Sequence, residues 1–199
     1  LFLIYLLLHQ IWLSPGQRVS VRTLIRGAAI RSANDAATAL GEHIAGTEAK
    51  FADYMTLAAR EMGMSKTVFR NAHGLTSSKH RSTPKDMAIL ARRLVFDFPE
   101  YYNLFGRISV RVLGKDLYNT NRRFLAAYSG SDGIKTGFTS AAGYNLAASA
   151  SRGNARIIAV IFGAGSVPLR NKRMTELLDL GFSRVPKVAS YIPMFSLNL

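Results

Sequence analysis

Two short groups of residues carry side chains that could do chemistry: Ser32-Ala33-Asn34 and Lys135-Thr136-Gly137. A lysine beside a threonine on an extended strand presents a cation and a hydroxyl, which together can hold a carboxylate. The glycine after them lets a ligand backbone approach the strand closely. A given tripeptide is expected on the order of once in several thousand positions, so Lys-Thr-Gly is moderately informative. Its plainer reading is a solvated strand lysine beside a tight turn. Ser-x-Asn is weaker, because Ser196-Leu197-Asn198 repeats it by chance. On local grounds Ser32, with Asp35 three residues on, reads as an ordinary helix cap.

These groups need elements to position them. Ser20 caps a helix whose inward face is Leu24, Ile25 and Ala28. Small polar residues from Arg31 to Asp35 interrupt the pattern. A second helix then runs from Asp35 to Ile44, burying Ala36, Leu40 and Ile44. Thr47 starts a third, which carries Phe51, Tyr54, Ala58 and Met62. Residues 64–82 read as loop with short extended pieces. Thr83-Pro84-Lys85-Asp86 is a strong helix start, with a threonine cap, proline at the first helical position and an early aspartate. Met87, Leu90, Ala91 and Leu94 follow at helical spacing.

Past Pro99 the period becomes two. Ile108, Val110 and Val112 alternate with polar residues, and Gly114-Lys115-Asp116 turns that strand into a hairpin. Gly133–Phe138, Tyr144–Ala150 and Arg156–Phe162 read as three strands of an antiparallel meander. A last helix over Leu169–Leu180 offers Leu169, Met174, Leu177 and Leu178 to the core. Helices, then strands, then a helix predict an α+β fold in which an antiparallel sheet is flanked by helices, beside a helical subdomain.

The chain has 199 residues, no cysteine and a net charge of +14. Disulfide frameworks, thiolate metal sites and thiol nucleophiles are thereby excluded. Residues 1–100 hold 13 basic and 8 acidic side chains, and residues 101–199 hold 13 and 4. This basicity suits an anionic neighbour, yet the arginines are scattered and not interleaved with aromatics as a nucleic-acid stacking surface requires. His9, His43, His73 and His80 lack metal-ligand spacing, so no metal and no cofactor is expected. His73 reads as a loop or packing histidine. Leu1–Leu8 is apolar throughout, but His9 and Gln10 interrupt it short of the ~20 residues that span a bilayer. It reads as a buried strand or helix.

Taken together, the motifs resemble the low-molecular-weight D-alanyl-D-alanine carboxypeptidases, penicillin-binding serine peptidases of cell-wall metabolism. The resemblance runs over residues 13–185. It is carried by Pro15-Gly16-Gln17, the run Ile30–Ala37, Gly63-Met64, Asn71-Ala72-His73-Gly74-Leu75, Asn119-Thr120-Asn121, Gly133–Thr139, Ala142-Gly143-Tyr144-Asn145 and Gly181-Phe182. Residues 1–12 lie outside it, and 186–199 form a C-terminal tail. The family implies a β-lactamase-like transpeptidase fold, an extracytoplasmic location with cell-wall or membrane-surface association, and no nucleic-acid partner. Its ligands are peptidoglycan stem peptides ending in D-Ala-D-Ala, and β-lactams. It also implies roles: Ser32 relays a proton to the leaving D-alanine, and Asn34 holds the substrate's peptide group. Lys135 and Thr136 bind the terminal carboxylate, and Gly137 lies where the strand pairs with the substrate backbone.

One departure matters. The family's nucleophile belongs to a Ser-x-x-Lys motif upstream of Ser-x-Asn, and residues 1–31 contain none. The one match, Ser82-Thr83-Pro84-Lys85, falls between the other motifs and opens an ordinary helix. The expectation is a polypeptide with most of the substrate-binding half that does not acylate. The alternative is a non-catalytic peptidoglycan-binding module.

Overall fold

Four of the helices begin where a serine or threonine side chain caps them. The computed structural model describes residues 9–185; the apolar run Leu1–Leu8, Ser196-Leu197-Asn198 and the tail from Pro186 lie outside them. Ser20 accepts from the Thr23 amide and opens α1, Val21–Arg26, which continues as a π-helical turn over Gly27–Arg31. α2 spans Asn34–Ala45 and α3 Glu48–Glu61, the latter capped by Thr47. Thr83 caps α4, Pro84–Asp97, and a single turn α5, Pro99–Tyr102, follows. The hairpin β1–β2 (Ser109–Val112 and Lys115–Tyr118) leads to α6, Arg122–Ala127. β3 (Ser131–Thr139), β4 (Gly143–Arg152) and β5 (Ala155–Ala164) form the meander in that spatial order. α7, Val167–Ser183, capped by Ser166, ends the described chain.

Period-two alternation puts the two faces of the meander against different helices. On one face Leu146, Ala148 and Ala150 pack with Phe124, Tyr128, Met174 and Leu178, all buried. On the other, Ala147 and Ile158 pack toward Ala91, Val95 and Tyr102, in a cluster that also holds Ile134. A separate cluster of Ile11, Leu24, Ile30, Ala33, Ala36, Val110, Val112 and Leu117 joins the helical part to the hairpin. The chain is therefore α+β as expected, with the sheet held between helices.

Several inward faces differ from expectation. α3 buries Ala52, Thr56 and Ala59, while Tyr54 is 50% exposed. Phe51 of the expected face does pack on α2, where Gly41 makes room for it: a Cβ there would stand 2.7 Å from the Phe51 ring. The fully buried stripe lies one position further round, on Ala52, Thr56 and Ala59. Ile25, Ile44, Leu169 and Leu177 are likewise exposed; their helices are short of partners on those sides. α6 was not expected, because its six residues are too few to show a period.

Asp86 shows how a local signal gains a tertiary function. Its amide donates to the Thr83 cap, as the helix start predicts. Its buried carboxylate accepts from the Thr67 hydroxyl (2.6 Å) and the Lys66 amide (2.9 Å), closing the 64–82 loop onto α4. The Thr67 hydrogen bond chiefly holds this carboxyl below its ordinary value of 3.8. A depressed folded-state pKa contributes stability that is present above the unfolded value and lost as pH falls through the folded one. Asp86→Asn is therefore expected to lower stability in urea denaturation at pH 7, with the gap to the parent chain narrowing below about pH 4. An equal gap at pH 7 and pH 3 would contradict this.

Candidate active site

Ser32 sits where the π-turn ends and α2 begins. It adopts a left-handed backbone, φ 60° and ψ 39°, and its amide donates back to Gly27. For a residue with a Cβ this conformation costs on the order of 1 kcal/mol. Ser32 is not the helix cap that its local sequence suggests. Ala33 occupies the cap position, where no side chain caps α2. Asp35 turns elsewhere too: its carboxylate accepts from the amides of Ile11 (3.1 Å) and Leu13 (3.1 Å) and fastens residues 11–13 to the start of α2. The Ser32 hydroxyl is thus left for another partner.

That partner comes from β3, 103 residues away: Lys135 donates from Nζ to Ser32 Oγ, and also to the Thr136 carbonyl at 2.9 Å. Thr136 donates its hydroxyl to Thr120 Oγ1 at 2.7 Å, and Thr120 Oγ1 lies 3.4 Å from Ser32 Oγ. Three hydroxyls and one ammonium therefore form a polar ring that closes through the Thr136 carbonyl. Thr120 is placed by its amide, which donates to the Ile30 carbonyl at 3.1 Å. Its neighbour Asn119 is buried, donating to the carbonyls of Phe105 and Arg107 and accepting from the Asn121 amide.

The ring lies in the wall of a cavity of about 510 Å³, and Ser32, Asn34, Lys135, Thr136 and Gly137 all line it. The two sequence motifs are thus brought to one site. Gly137 needs no glycine for the fold's sake: a Cβ there would meet only Asn145 Cβ, at 3.9 Å. The open space lies on the cavity side, where a ligand backbone could approach.

Sequence reasoning missed three residues of this cavity: Thr120, Arg122 and Arg170. Arg170, in the first turn of α7, is 4% exposed. Burial, and secondarily the Arg170 charge, pull the Lys135 ammonium down to about 8. Asn119-Thr120-Asn121 was a recognisable run, but nothing local shows a threonine hydroxyl pointing at Ser32. His73 also lines the cavity; its Nδ1 accepts from the Leu75 amide, and its Nε2 faces Glu48 Oε1 at 3.5 Å. Ser82 bonds to Thr67 Oγ1 at 2.8 Å, and neither it nor Lys85 lines the cavity.

A half-buried cation among hydroxyls, with a second cation nearby, can bind a carboxylate and move a proton through Ser32. Among the described residues none of those lining the cavity is acidic, so its field favours anions.

A sequence profile described as D-alanyl-D-alanine carboxypeptidase matches residues 7–166. The chain is 42% identical over 180 residues to the D-alanyl-D-alanine carboxypeptidase DacF of Bacillus subtilis (strain 168), covering 88% of this chain and 46% of that protein. To DacC of Escherichia coli (strain K12) it is 38% identical over 171 residues, covering 86% and 43%. The chain thus spans less than half the length of these curated relatives. Among solved structures, penicillin binding protein 5 from Haemophilus influenzae superposes with a TM-score of 0.83 at 35% identity, covering 87% of this chain and 51% of that one. Penicillin-binding protein D2 from Listeria monocytogenes, in its ampicillin-bound form, gives 0.79 at 36% identity, covering 87% and 72%.

Proposed function

The chain belongs to the D-alanyl-D-alanine carboxypeptidase family, and from that premise we propose that its cavity binds the D-Ala-D-Ala end of a peptidoglycan stem peptide for serine acyl transfer outside the cytoplasmic membrane. The observation that carries this reading is the contact of Lys135 Nζ with Ser32 Oγ across the fold. Lys135 and the Thr136 hydroxyl hold the terminal carboxylate, and Arg170 adds positive potential behind them. The Asn34 amide holds the peptide group next to the scissile bond, and the backbone of β3 from Thr136 to Phe138 pairs with the extended ligand. Where a serine nucleophile attacks the scissile carbonyl, Ser32 passes a proton toward the departing D-alanine, drawing on the lysine and on Thr120. The net charge of +14 suits an anionic cell-wall surface.

The acyl group itself needs a nucleophile, and residues 1–31 carry no Ser-x-x-Lys. The 199-residue polypeptide therefore binds the stem peptide without forming an acyl-enzyme. Incubation with a fluorescent penicillin, followed by denaturing electrophoresis, is expected to leave it unlabelled. A covalent band would refute this half of the reading, and a band mapped to Ser82 would give the Ser82–Lys85 segment a catalytic role. Calorimetric titration with an acetylated stem peptide tests the other half. Heats of binding that disappear in Lys135→Met support it, and no binding at all overturns it.

A further inference from the structure

The cavity holds more positive charge than one carboxylate uses. Lys135 and Arg170 are drawn in behind the polar ring, but Arg122 is exposed at the edge of the same cavity. Its guanidinium is parked over the Tyr118 ring at 5.7 Å from the centroid, a contact that restrains the side chain without neutralising it. None of the described residues lining the cavity is acidic, so the pocket itself supplies no counter-charge.

Position says which part of a ligand Arg122 would meet. It follows Thr120 by two residues, and its amide donates to the Asn119 carbonyl at 3.1 Å, so it is fixed beside the turn that presents Thr120. Thr120 in turn meets Thr136, where the ligand's terminal carboxylate is held. Along β3 the rest of the stem peptide runs past Gly137 and Phe138. Arg122 therefore stands on the leaving-group side of the scissile bond.

We propose that Arg122 is a specificity-determining residue that binds a second carboxylate on the leaving group, so that the cavity favours ligands whose last residue, or whose cross-linked acceptor stem, carries an acidic group beyond the terminal carboxylate. This rests on the stem-peptide reading above. Lys135 recognises the carboxylate common to all such ligands, and Arg122 discriminates among them. An arginine suits this task, since its planar fork can take a carboxylate bidentately and stays charged at any working pH.

The experiment is a calorimetric titration of the 199-residue chain with three acetylated peptides that end in D-Ala-D-Ala, D-Ala-D-Glu and D-Ala-D-Gln. The glutamate peptide is expected to bind about threefold more tightly than its neutral glutamine isostere, the scale of an exposed ion pair. The preference should shrink with added salt. Arg122→Gln should bring the ratio to about one while weakening D-Ala-D-Ala binding less than binding of the glutamate peptide, and Arg122→Lys should restore part of the ratio. A cross-linked stem dimer, titrated alongside, separates the two sources of the carboxylate: a gain with the dimer that Arg122→Gln removes assigns it to an acceptor stem. Equal affinities for the glutamate and glutamine peptides in the parent chain overturn the proposal while leaving the stem-peptide reading intact. If none of the peptides binds, the stem-peptide reading fails and this one fails with it.

Discussion

Lys135→Met is expected to weaken binding of a D-Ala-D-Ala peptide at pH 7 by about 10- to 100-fold, and to make the folded chain more stable at the same time. The first effect follows from removing the ammonium that meets the carboxylate. Hydrogen bonds between charged partners contribute about 1.5–3 kcal/mol, and each 1.4 kcal/mol is tenfold in affinity. The second follows from the environment of that ammonium. Burial, with Arg170 adding to it, lowers the Lys135 pKa from 10.5 to about 8. Between those values the unfolded chain binds a proton that the folded chain lacks, so stability rises with pH across that window. Below pH 8 the full penalty of burying the charge is present. Methionine removes the penalty, a gain on the order of 2 kcal/mol at pH 7 that fades by about pH 10.5. Ligand affinity of the parent chain should fall as pH rises beyond about 8, because a neutral amine no longer attracts the carboxylate. Calorimetry and urea denaturation at pH 7 and pH 10.5 read both effects. A methionine variant that binds like the parent would remove Lys135 from the site.

Asn119→Ala is expected to be the most damaging single change near the site, costing about 3–5 kcal/mol. The side chain is 1% exposed and satisfies three backbone groups: it donates to Phe105 O at 3.1 Å and Arg107 O at 2.9 Å, and accepts from the Asn121 amide at 2.7 Å. Alanine leaves all three without it in a place water reaches poorly, and each unsatisfied group costs about 1–3 kcal/mol. The loss also frees Thr120 from its place against Thr136 and Ser32, so ligand binding should weaken even where the protein remains folded. Thr120→Val separates the two effects. It keeps the shape and removes only the hydroxyl, so it should lower affinity while shifting the urea midpoint little. Asn119→Ala with an unchanged midpoint would show that these hydrogen bonds are dispensable.

Much of the architecture was legible because its signals are local. Ser20, Thr47 and Thr83 cap helices within three residues of themselves, and the strand alternation from Gly133 to Phe162 needs only neighbours to be read. Helix rotation was less legible. Ile44 and Tyr54 look like core residues by type, but both are exposed, because packing between helices decides which face turns inward. A six-residue helix such as α6 shows too little of any period to announce itself.

The sequence by itself singled out the candidate residues Ser32, Asn34, Lys135, Thr136 and Gly137: the Lys-Thr-Gly run could hold a carboxylate by residue type, and the family resemblance implied acyl-transfer roles for the rest. It also determined the order of the strands and of the longer helices, since caps, turns and alternation act over a few residues. Only the tertiary structure decided that Ser32 is bonded to Lys135 rather than capping a helix, and that Thr120 closes the ring. It also placed Arg170 behind the lysine and Arg122 at the cavity edge. Those contacts join residues 16 to 103 positions apart, and their strength comes from burial and mutual charge. Neither quantity exists along a chain until the sheet and helices have packed.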